Sequence, residues 1–220
     1  MTDFEKYAVS QGIGSHMVSD YGRFNDMLLE PVILEERKTH CAPMSIFSRL
    51  LSDRIIFIGT PIDDDVANII QAQLLYLSSL DDKTDISIYL NTPGGSVSAG
   101  LGIYDTMELV KPEITTICTG LAASMGSVLL SAGAKGKRKA LKHSSIMLHE
   151  PMGGLQRGTK CADFLIEAEQ IKKCKDTLFD ILAENCGKTR EEMEIACAHD
   201  KWLDANEALD FGIIDEILVK

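Results

Sequence analysis

The chain has 220 residues, 45% of them hydrophobic and 25% charged, a length and apolar share that suit one globular α/β domain with a sizeable core. Its 33 acidic residues outnumber the 22 basic ones, for a formal net charge of −11, and a field of that sign disfavours nucleic acid and anionic membranes as partners. No apolar run approaches the roughly 18–20 residues that cross a bilayer.

The N-terminal Met1-Thr2-Asp3-Phe4-Glu5 lacks the basic start and apolar stretch of a signal peptide. Six cysteines (41, 118, 161, 174, 186, 197) are scattered, with no Cys-x-x-Cys pair and no zinc spacing. A soluble cytoplasmic protein with free thiols, no metal and no organic cofactor is expected. Residues 1 to about 27 are polar and without a period, and are expected to be flexible. Arg54-Ile55-Ile56-Phe57-Ile58-Gly59 reads as a buried strand closed by Gly. Asp63 to Leu80 reads as a helix opened by acidic residues, with Val66, Ile69, Ile70, Leu74 and Leu77 on one face. Asp85 to Leu90 alternates as a strand and leads to Pro93-Gly94-Gly95. A helix over Ser98 to Val110 follows, then a strand over Ile114 to Thr119. Lys135-Gly136-Lys137-Arg138-Lys139 is the one compact basic run, short for a nucleic-acid patch and read as a solvated turn. Ser145 to His149 is a further strand. Strand–helix alternation of this kind predicts a parallel sheet with helices packed outside.

After the glycine-rich Pro151-Met152-Gly153-Gly154, a long helix is predicted over about Ala162 to Cys186, stopped by Gly187. Phe164, Ala168, Ile171, Leu178 and Leu182 form its apolar stripe, which Lys175 interrupts, so the helix is expected to pack in part on a neighbouring subunit. Thr189-Arg190-Glu191-Glu192 has the pattern of a capping box. Asp204-Ala205-Asn206-Glu207 has the look of a helix cap too, which occupies Asp204 and leaves Asp200 the freer acid.

The stretch Gly120-Leu121-Ala122-Ala123-Ser124-Met125-Gly126-Ser127 carries most information. Its serine is flanked by small residues and followed by the helix-capable Val128-Leu129-Leu130. A nucleophile needs such a strand-to-helix turn, where a helix N-terminus favours developing negative charge. His149 closes the apolar run Ile146-Met147-Leu148, and His199-Asp200-Lys201-Trp202 supplies an acid, giving the candidate order Ser124, His149, Asp200. The α/β-hydrolase elbow reads Gly-x-Ser-x-Gly with the acid before the His. Here Ala122 replaces the first Gly and the His comes first, which excludes that fold and leaves the triad chemistry open. Taken singly, each piece has a plainer explanation: Ser124 as a helix N-cap, His149 as a satisfied core or turn histidine, Asp200 as a solvated acid, Pro93-Gly94-Gly95 as a turn.

Together with Asn91-Thr92-Pro93-Gly94-Gly95-Ser96-Val97, Ser45-Ile46-Phe47-Ser48-Arg49-Leu50-Leu51, Gly102-Ile103-Tyr104-Asp105-Thr106-Met107 and His149-Glu150-Pro151-Met152-Gly153-Gly154, these segments resemble the proteolytic-subunit family of Clp proteases from about Leu28 to Leu218. The resemblance implies an α/β fold of the Clp/crotonase type, a spiral of β-β-α units with a projecting handle helix (about 151–187). It implies one peptidase domain over 28–220 behind a propeptide over 1–27, cleaved near Met27. It implies a Ser124–His149–Asp200 triad, an oxyanion hole from the N–H groups of Gly95 and Met125, and substrate binding along Gly94, Gly95, Ser96 and Val97, with the strand after the glycines adding to a substrate strand. It further implies a homo-oligomer of two stacked heptameric rings that degrades unfolded polypeptides delivered by a hexameric AAA+ Clp ATPase unfoldase. This chain has no Gly-x-x-x-x-Gly-Lys-Ser/Thr loop, so any ATP dependence lies with the partner. The segment from Leu155 to Ala162 is about two residues longer than is usual in the family. Two other readings stay open: an acyl-CoA enzyme on the same general fold, marked by thioester binding without a reactive Ser124, and a non-catalytic ring subunit, which the intact Ser124, His149 and Asp200 speak against.

Overall fold

A computed structural model describes residues 32–37, 40–153 and 160–219. The predicted flexible lead, the cleavage point near Met27 and most of the lengthened segment after Gly154 lie outside the described residues. The chain divides into two units between Asp53 and Arg54. In the first, β1 (Val32–Arg37) pairs antiparallel with β2 (His40–Ser45), from Val32 opposite Ser45 to Arg37 opposite His40. The short helix α1 (Ile46–Ser52) follows, and Arg49 pairs with Asp53 across its last turn at 2.7 Å.

The second unit is built on a seven-stranded sheet. β3 (Ile55–Ile58), β4 (Ile86–Thr92) and β5 (Ile114–Ala123) run parallel, with α2 (Asp64–Leu80) and α3 (Val97–Leu109) as crossovers. Asp63 caps α2 by accepting the Val66 N–H at 2.8 Å. The buried face of α2 is Ala67, Ile70, Leu74 and Leu77. The expected face therefore holds at Ile70, Leu74 and Leu77, while Ile69, about a third of a turn out of that seam, is exposed. At the other end of α2 the Arg54 guanidinium donates to the carbonyls of Leu77, Asp81 and Asp85, tying the start of β3 to the end of the helix and the segment before β4.

The long strand β5 sets up everything that follows. Its first half pairs with β6 (Arg138–Leu141) through Thr116–Cys118, and its second half with β7 (Ser145–Leu148) through Leu121–Ala123. The sheet thus forks along one strand. β9 (Glu216–Leu218) adds parallel to β6, and β8 (Lys201–Leu203) adds antiparallel to β7. Between the branches Ser144 donates its hydroxyl to the Cys118 carbonyl at 2.8 Å. β5 runs on past the Thr119 end expected for it, because its last residues gain β7 as a partner.

The basic run is not a solvated turn throughout, since Arg138 and Lys139 open β6. Acids far away in sequence meet three of its charges: Lys137 pairs with Asp85 and Glu113, Lys139 with Glu216, and Arg138 with Asp215. Arg138 and Asp215 are largely buried, and Asp215 also accepts the N–H groups of Gly136 and Arg138. The Asp215 carboxyl is consequently held below the usual carboxylate range, chiefly by the hydrogen bond from Arg138.

Four helices complete the unit. α4 (Met125–Ser131) is wholly buried. α5 (Cys161–Cys186) is buried only toward its end, through Leu178, Phe179, Leu182 and Ala183. α6 (Arg190–Cys197) and α7 (Ala205–Phe211) both start with the expected capping boxes, Thr189 with Glu192 and Asp204 with Glu207. Among the described residues no helix is long and apolar enough to cross a membrane.

Candidate active site

Ser124 links β5 to α4 with φ 55° and ψ −123°, a conformation that costs a non-glycine residue about 1–3 kcal/mol. Its neighbours hold it there. The Ser124 N–H donates to Met147 O at 2.9 Å, and the Ser124 carbonyl accepts from Ser127 N–H at 2.9 Å and Ser127 Oγ at 2.7 Å. Ser124 occupies the N-cap position of α4, but its side chain makes no capping bond. Its Oγ lies 2.9 Å from His149 Nε2 instead.

Strand register brings the other two residues in. Parallel pairing of Ala123 with Met147 sets the ends of β5 and β7 side by side, so His149, one residue beyond β7, faces the turn at Ser124. β8 runs antiparallel to β7 with Leu148 opposite Lys201, and one further step along that register brings His149 opposite Asp200. His149 Nδ1 is 3.2 Å from Asp200 Oδ1. The pattern is consistent with a proton on Nδ1, donated to Asp200, leaving Nε2 to accept from the Ser124 hydroxyl. The His149 side chain is 11% exposed and that of Asp200 62%. Asp204 is occupied elsewhere, its carboxylate accepting the N–H groups of Asn206 and Glu207.

The glycine turn lies against the same spot. A Cβ on Gly94 would stand 2.5 Å from Ala123 O and 2.9 Å from Met125 N, and one on Gly95 would stand 2.1 Å from Ile62 O. No side chain fits at either position, and Gly94 has a φ of +88° besides. A parallel bridge joins this turn to Ile62 through the Gly94 carbonyl and the Ser96 N–H, leaving the Gly95 N–H out of the pairing. Met125 is the first residue of α4, where opening N–H groups have no carbonyl a turn earlier to bond. The glycine turn thus lies against Ser124 and the first N–H of α4 through Gly94. One expectation fails. No strand follows the glycines: Ser96 is the N-cap of α3, its Oγ accepting the Ala99 N–H at 3.4 Å, and Val97 opens the helix.

Beside Ser124 a cavity of about 10 Å³ is walled by Val97, Val128, Pro151, Leu178 and Leu182, together with Ser124 and His149. Two of these, Leu178 and Leu182, come from α5, and the sequence signalled them only as part of a packing stripe. Comparison with known proteins bears on what such a site is. A profile described as Clp protease matches residues 37–220. The chain is 52% identical over 221 residues to an ATP-dependent Clp protease proteolytic subunit of Porphyromonas gingivalis (strain ATCC BAA-308 / W83), covering 100% of this chain and 99% of that one. It is 51% and 49% identical to proteins of the same name from Bacteroides fragilis (strain YCH46) and Bacteroides thetaiotaomicron, covering 100% of both chains in each case.

The chain belongs to the Clp protease family.

Its mixed α/β fold, with a largely parallel sheet and strand-helix units wound about β5, is the one the resemblance implied. The buried thiols of this Clp-family chain are poor nucleophiles. Burial pushes Cys186 and Cys197 up to about 11 and raises Cys118 as well, so these three are protonated at neutral pH. The charged groups next to the site include Glu150, whose Oε2 accepts from Lys175 Nζ at 2.6 Å. Lys175, which breaks the apolar stripe of α5, is therefore there for a partner that the stripe alone could not reveal.

Proposed function

We propose that this Clp-family chain is a serine endopeptidase acting through Ser124, His149 and Asp200. Ser124 Oγ attacks the carbonyl carbon of a peptide bond while His149 Nε2 accepts the hydroxyl proton. The negative charge that develops on the carbonyl oxygen is met by the N–H groups of Gly95 and Met125. Collapse of the tetrahedral intermediate breaks the C–N bond, and His149 returns its proton to the leaving amine. Water, deprotonated by the same imidazole, then adds to the acyl-enzyme, and the departing Ser124 oxygen takes the proton back. Asp200 holds the imidazole in the Nδ1–H tautomer and stabilises its charged form. Gly94, Gly95, Ser96 and Val97 border the path of the substrate backbone.

The observation that carries this reading is the Ser124 hydroxyl. In a position where a serine ordinarily caps its helix, it bonds His149 instead. The relatives' shared name supports a proteolytic subunit of an ATP-dependent protease; on the family resemblance, its partner would be a hexameric AAA+ unfoldase that delivers unfolded polypeptides to two stacked heptameric rings in the cytoplasm. Residues 28–220 would be the mature peptidase, released by self-cleavage near Met27.

The test is fluorophosphonate labelling of the purified assembly, with the modified residue mapped by mass spectrometry. Labelling confined to Ser124, and lost in Ser124→Ala, is the expected result. An unlabelled Ser124 in a confirmed ring assembly overturns the proposal.

A further inference from the structure

His149 lies one residue past the last ladder pair of β7, so the sheet alone does not fix its backbone. The residue after it is anchored twice. The Glu150 N–H donates to the carbonyl of Cys197, the last residue of α6 and three residues ahead of Asp200, at 3.2 Å. The Glu150 carboxylate accepts from Lys175 on α5 at 2.6 Å. Lys175 is itself steadied by its position over the Phe179 ring, 5.3 Å from the centroid, and that ring is buried.

We infer that Glu150 is a positioning residue for the triad. Resting on the serine-peptidase reading above, this assigns to the Glu150–Lys175 pair the job of tying the His149 segment to α5 and, through the Glu150 backbone, to the segment that carries Asp200. The imidazole must meet Ser124 on one side and Asp200 on the other, and Asp200, being exposed, offers only a loose anchor. A displacement of about 1 Å at a catalytic group costs up to roughly a hundredfold in rate. As an ordinary part-exposed ion pair, Glu150–Lys175 would contribute little to stability and nothing to turnover. Activity and stability therefore separate the two roles.

The experiment compares Glu150→Ala, Glu150→Gln, Lys175→Met and the exchanged pair Glu150→Lys with Lys175→Glu, each as the assembled full chain. In peptide hydrolysis, Glu150→Ala and Lys175→Met should lower kcat by roughly ten- to a hundredfold with KM nearly unchanged. The rate of fluorophosphonate labelling at Ser124 should fall in parallel, and the unfolding midpoint should move little. Glu150→Gln, which still accepts from Lys175, and the exchanged pair should recover most of the loss. Single variants with wild-type kcat, or losses that neither Glu150→Gln nor the exchange restores, overturn the inference. Amide hydrogen exchange provides a readout that needs no catalysis. Lys175→Met should speed exchange at the Glu150 amide, and unchanged protection overturns the tie. Failure of the peptidase reading is seen separately, as absent labelling of Ser124 in the wild-type chain.

Discussion

At the scale of single residues, Ser124 shows why a motif and a geometry are different kinds of knowledge. The run of small residues around it announces a tight turn, but small residues also surround many N-caps. Only the placement of the hydroxyl toward His149 tells the two apart. Asp200 is the weakest side of the arrangement, 62% exposed and 3.2 Å from the imidazole. Replacement of a triad aspartate by asparagine, which leaves the histidine in the wrong tautomer, costs about 10⁴ in kcat where the acid is buried. Here water can substitute in part, so Asp200→Asn should lower kcat on a short peptide by less than that, with about 10²–10³ expected. A full 10⁴-fold loss would mean that Asp200 is shielded in the working assembly. The choice between Asp200 and Asp204 was legible in the sequence, because Asn206 and Glu207 follow Asp204 at capping distances. The Glu150–Lys175 pair was not, since it joins the loop after β7 to a helix 25 residues on.

Among elements, β6 is the instructive case. Its Arg138 and Lys139 read as a solvated turn because charge usually marks a surface. Arg138 is nonetheless 6% exposed, its charge answered by Asp215 just before β9 and by the Asn185 carbonyl near the end of α5. A pairing across 77 residues leaves no local pattern to find. Removing one member strands the other, so Asp215→Asn should cost about 3 kcal/mol, read as a lowered unfolding midpoint. Because Asp215 titrates below the usual carboxylate range in the folded chain, its contribution is complete above that range and drains away as pH falls through the lowered value. The gap between wild type and Asp215→Asn should thus be full at pH 7 and close below about pH 4. A gap independent of pH would remove the charged pair from the account. By contrast, the elements governed by nearest neighbours, α2 with Asp63 at its head and the helices capped by Thr189 and Asp204, were readable from the chain within a residue or two.

For the whole molecule, the amino-terminal half of α5 raises the question of what covers it. Phe164, Leu165 and Ile166 are each more than half exposed, three large apolar side chains in a row on a helix whose later turns are buried. The sequence hinted at this through a stripe too incomplete for a core helix. In the two-ring assembly proposed above, these residues meet a second ring. Leu165→Glu should then reduce the particle mass in light scattering toward single rings or smaller, while the circular dichroism of the unit is kept; an unchanged mass would assign the exposed face to some other contact. The fork in the sheet, in turn, could not be read from the chain, because β5 looks like one strand and only pairing shows that it serves two branches.

A practical consequence follows from the backbone at Ser124. An inactive form that captures substrates inside the particle must lose the hydroxyl without losing the shape of the cradle. Alanine, like serine, carries a Cβ into φ 55°, so the bonds with Met147 and Ser127 that hold the turn between β5 and α4 work against the same strain. Glycine would relax into φ 55° without strain but gain freedom to leave it, loosening the floor on which a captured chain has to lie. The alanine form is the faithful decoy.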